Sequence, residues 1–117
     1  MLETKGAREM EISLSLPPFT ELIGRLQEQD LLIPGPPSEV SRTFLGKIAS
    51  QQMTPSEIAS TWAQARQDVM GRRPSFAKFI IGLHGFDVIK AIIPEKDLAE
   101  QTTNHLHSAY KEAASQA

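Results

Sequence analysis

The chain has 117 residues, a formal net charge of −2 and a hydrophobic share of 40%, the scale of one ordinary domain with its own core. It has no cysteine, which excludes disulfides, thiol catalysis and cysteine-ligated metals and fits a reducing compartment. The small negative charge excludes a strongly basic nucleic-acid protein. No apolar run is long enough to span a bilayer, and the polar start "MLETKGAREMEIS" lacks the apolar stretch of a secretory signal. A cytoplasmic location without membrane association is the expectation.

Residues 1–10 carry no hydrophobic period and read as a flexible tail. "EISLSLPP" then alternates: Ile12, Leu14 and Leu16 fall on one side, Glu11, Ser13 and Ser15 on the other, the period of a half-buried strand that Pro17 and Pro18 end. In "FTELIGRLQEQDLL", Phe19, Leu22, Ile23 and Leu26 fall at i, i+3, i+4 and i+7 and predict a helix, stopped by "IPGPP".

Pro-Ser recurs at Pro37-Ser38, Pro55-Ser56 and Pro74-Ser75, and each copy marks a helix start. Ser38 is placed to cap a helix burying Val40, Phe44, Leu45 and Ile48. Thr54 caps the next, with Pro55 at its first position and Glu57 completing a capping box. Ile58, Trp62, Ala65 and Val69 form its buried stripe, and Gly71 ends it. Ser75 caps a third, expected to bury Phe76, Phe79, Ile80 and Leu83 and to close at Gly85. "FDVIKAIIP" fits a short helix or a strand, with helix favoured, and a last helix covers 95–112 with Leu98, Leu106 and Tyr110 as contacts. The expected fold class is mainly α: one N-terminal strand followed by five or six short helices, with residues 11–50 as a strand-helix-helix unit and 51–117 as a helical region.

A lone strand must find a partner for its backbone groups, and the simplest is the same strand of a second copy, which makes a homodimer the expectation. "ISLSLP", "FTELIGRLQEQDLL", a glycine-containing turn and "PSEVSRTFLGKIA" together resemble the ribbon-helix-helix family of DNA-binding proteins, of the Arc and methionine-repressor type, over roughly a third of the chain. The resemblance implies a paired ribbon entering the major groove of double-stranded DNA. Ser13 and Ser15 would then meet base edges, the Ser38 helix N-terminus would meet a phosphate, and Arg42 would support it. The implied function is a DNA-binding regulator or plasmid accessory protein with a helical oligomerisation or partner-binding region. The alternative is a small helical protein–protein interaction module, an adaptor or assembly factor that binds no nucleic acid. It is favoured by the acidity of residues 1–35, where three Lys/Arg stand against six Asp/Glu.

Residues 36–90 are mildly basic, with seven Lys/Arg against four Asp/Glu. Within them Arg66, Arg72 and Arg73 form a candidate patch for an anion or an acidic partner, or compensate a helix C-terminal dipole. His105 and His107 lie two apart, so they do not share a helix face and predict no metal site. His84 reads as a helix-end histidine. Trp62 reads as core or an interface anchor. No phosphate loop, nucleophile elbow or paired catalytic carboxylates occur, so neither an enzyme nor a cofactor is expected.

Overall fold

In the computed structural model, which describes residues 12–71 and 75–116 with side chains as far as residue 113, the chain is mainly α: five helices and a short two-stranded antiparallel sheet near the N-terminus. The expected tail, Glu11, Arg72 and Arg73 lie outside the described residues.

The strand β1 (Leu14–Ser15) pairs with β2 (Gln52–Met53), Leu14 opposite Met53 and Ser15 opposite Gln52. Two further bonds extend the pairing: the Leu16 N–H donates to the Gln51 carbonyl at 2.8 Å, and the Ser50 N–H donates to that of Pro17 at 3.0 Å. The expected partner of the strand, a second copy, is therefore replaced by a segment of the same chain. Ser50 makes the reversal at φ 59, a left-handed conformation uncommon for serine, so no glycine or proline marks the turn in the sequence. Because β2 is so short, only Leu14 and Leu16 are covered, and Ile12, expected beside them, stays 67% exposed.

The first helix, α1 (Phe19–Glu28), buries Leu22 and Leu26. The second, α2 (Pro36–Ile48), buries Val40, Phe44, Leu45 and Ile48 as expected, but it starts three residues earlier than the Ser38 cap implies. Gly35 takes φ 96 at the cap position, and Pro36 and Pro37, with their preset φ and no N–H to satisfy, occupy the first turn. The third, α3 (Pro55–Met70), has the full capping box: the Glu57 N–H donates to Thr54 Oγ1 at 3.2 Å, and the Thr54 N–H donates to Glu57 Oε1 at 2.9 Å. It buries Ile58, Ala59, Trp62 and Ala65, leaves Val69 half-buried, and ends at Gly71, φ 74.

The fourth, α4 (Phe76–Ile92), departs most from expectation. Ser75 caps it, accepting from the Lys78 N–H at 3.1 Å, but the helix runs through Gly85 and absorbs 86–92. Its buried face is Ile81, Gly82, His84, Gly85, Val88, Ile89 and Ile92, not the stripe from Phe76. The fifth, α5 (Lys96–Gln116), lies along α3 and α4, burying Ala99, Thr102 and Leu106.

One core cluster joins Leu14, Leu22 and Phe44 to Trp62, Ile89 and Leu106, so both halves of the chain feed the same interior. Phe44 and Trp62 meet edge to face at 5.1 Å between centroids, locking α2 onto α3. Arg25 of α1 donates to the Ile92 carbonyl at 2.8 Å and to Glu21 at 2.9 Å, tying α1 to the last turn of α4.

Candidate functional site

The sequence-selected residues fall in separate places. Ser13 and Ser15 are exposed on the outer side of β1. Ser38 is the third residue of α2, where its Oγ accepts from Arg42 Nε at 3.4 Å; with Pro34, Gly35, Pro36 and Glu39 the two line a shallow open depression. Arg66 is turned inward: its guanidinium carbon lies 4.4 Å from the Tyr110 ring centroid, and Nη1 donates to the Lys78 carbonyl at 3.4 Å. Lys78 closes the α3 C-terminus instead, donating to the Gly71 carbonyl at 2.8 Å and to Gln67 at 3.3 Å.

The seam between α3, α4 and α5 is a polar patch inside an apolar core. Gly82 and Gly85 let α4 approach α3 closely: a Cβ on Gly85 would meet Trp62 Nε1 at 2.4 Å, and one on Gly82 would meet Arg66 Nη1 at 2.4 Å. The Tyr110 hydroxyl donates to the Gly82 carbonyl at 2.7 Å. Burial pushes the Tyr110 phenol well above its usual range despite the nearby Arg66 charge. His84 is mid-helix and buried rather than at a helix end. Burial lowers its pKa against the opposing pull of the Leu31 backbone and Asp87. Among the described residues no three His, Asp or Glu side chains gather as a metal site, and no helix is long and apolar enough to cross a membrane.

The conspicuous surface feature is the stripe that the sequence pattern assigns to the core. Phe76, Phe79, Ile80 and Leu83 are 77%, 58%, 41% and 48% exposed, at i, i+3, i+4 and i+7 on the outer face of α4. Phe76 and Phe79 lie against each other, 6.5 Å between centroids. The periodicity holds but the side is reversed, because "FAKFIIGLHGFDVIKAI" is apolar on both faces and a period cannot then tell inside from outside. The signal that does tell them apart is the pair of glycines: Gly82 and Gly85 lie on the opposite stripe, the one on which a neighbouring helix comes close. No protein-family model, curated protein or solved structure matches this chain.

Proposed function

We propose that this chain is a protein–protein interaction module that docks through the outer face of α4. The observation that carries the reading is the exposure of Phe76, Phe79, Ile80 and Leu83 together. With roughly 200 Å² per phenylalanine and somewhat less per aliphatic side chain, the stripe leaves on the order of 400 Å² of contiguous apolar surface in water. A patch of that size at the centre of an interface supplies aromatic anchors, and its desolvation is the driving force for docking. Single exposed apolar residues need no such account; four on one helix face do.

A photo-crosslinking benzoylphenylalanine at position 79, irradiated in the cells the protein comes from, tests the reading. A protein adduct is expected there and not from the same group at Glu28, an exposed position on α1. No adduct at 79 would remove the proposal.

The second reading, a DNA-binding regulator, is favoured by the Ser38–Arg42 contact at the head of α2, which suits a phosphate. Labelled duplex titrated at two salt concentrations separates the readings. The interaction module gives no salt-dependent binding, whereas the DNA reader binds and loses about one unit of salt slope in Arg42→Ala.

A further inference from the structure

We infer that the occupant of the α4 face is the same face of a second copy of this chain, an inference that rests on the interaction reading above. The stripe is self-complementary. Two α4 helices packed antiparallel about a two-fold place Phe76 opposite Leu83 and Phe79 opposite Ile80, and the symmetry repeats both pairs, so every apolar side chain meets an apolar one. An exposed charge fixes this register. Asp87, one turn beyond Leu83 on the same face, would be driven against Phe76 if the helices slid by a turn in that direction. Sliding a turn the other way brings Phe76 against Phe79 and leaves Leu83 uncovered by the stripe.

The area sets the strength. A standard stable interface buries about 800 Å² per partner, and the stripe alone offers about half of that, so this is a small interface of the transient class rather than an obligate one. Its two phenylalanines are the anchors. The pairing uses no backbone group of β1, so it is independent of the ribbon that the strand pattern suggested, whose pairing partner is found in β2.

Sedimentation of the purified chain from about 1 µM to about 500 µM tests the inference, and a reversible monomer–dimer equilibrium within that range is expected. Phe79→Glu should weaken self-association roughly tenfold or more, while Leu14→Pro leaves the association constant of the folded fraction unchanged. Thermal melts of Phe79→Glu check that the fold is intact. Benzoylphenylalanine at position 79 of the purified chain should yield an adduct of twice the chain mass, linked near Ile80 of the other copy. A monomer at every concentration, a dimer indifferent to Phe79→Glu, or a cross-link confined to one chain each overturns the inference. In the cellular experiment an adduct with a different protein then leaves the interaction reading standing, and no adduct removes both.

Discussion

Gly85 and Gly82 differ only in what lies opposite them. The Cβ of Gly85→Ala would sit 2.4 to 2.9 Å from three atoms of the Trp62 indole, a ring wedged against Phe44 with nowhere to go. Gly82→Ala meets the far end of a flexible arginine instead. Alanine raises helix propensity by about 1 kcal/mol at either position. Overpacking a ring costs roughly 1–3 kcal/mol, so Gly85→Ala is expected to destabilise the protein and Gly82→Ala to fall within about 0.5 kcal/mol of wild type in urea melts. His84 makes a second prediction at this scale. Its folded-state pKa lies below the ordinary histidine value of 6.5, so on acidification the unfolded chain takes up the proton first. The stability held by neutral His84 is complete above about pH 6.5 and is lost as pH falls through the folded-state pKa. Urea midpoints at about pH 7.5 and about pH 5 should differ more for wild type than for His84→Gln.

At the scale of one element, α4 presents two apolar stripes of opposite fate. Ile81, Val88, Ile89 and Ile92 are sealed against α1, α2, α3 and α5, while Phe76, Phe79, Ile80 and Leu83 face water. Hydrophobicity alone would make substitutions on the two stripes equally damaging. Burial says otherwise: Ile89→Ala should cost about 2–5 kcal/mol, and Phe79→Ser should stay within about 0.5 kcal/mol in melts at low protein concentration, where self-association does not contribute. The start of α3 behaves independently of both. Thr54→Ala removes one half of a reciprocal capping pair and should lower stability by about 1 kcal/mol.

The whole molecule is a slab 48 × 35 × 19 Å, its thin dimension about two helix diameters. In such a slab each helix has one neighbouring layer to bury against and one face left over, and a helix apolar all round must show part of itself to water. Residues 11–50, which the sequence pattern groups as a strand-helix-helix unit, share their core with the C-terminal helices: Phe44 rests on Trp62, and β1 takes its partner from residues 52–53. A fragment of residues 1–50 is therefore expected to show little helical signal by circular dichroism, because short helices without a buried face are marginal in water. A fully helical fragment would mean that the first unit folds alone.

The local determinants are legible in the sequence. The capping box at Thr54, the Ser75 cap, the glycine stop at Gly71, and the stripes led by Leu22, Phe44 and Trp62 arise from hydrogen bonds and periods within a few residues, and they stand where those patterns put them. Three things are decided only by tertiary packing. The strand β1 finds its partner beyond two helices, through a reversal at Ser50 that no glycine or proline announces. Gly85, a helix end by its sequence context, is a contact point for an indole, and a glycine's role depends on what approaches it. The outward stripe of α4 is invisible as a surface in the sequence because both faces of the helix are apolar. Periodicity tells which residues share a side, and the neighbouring helices decide which side is inside.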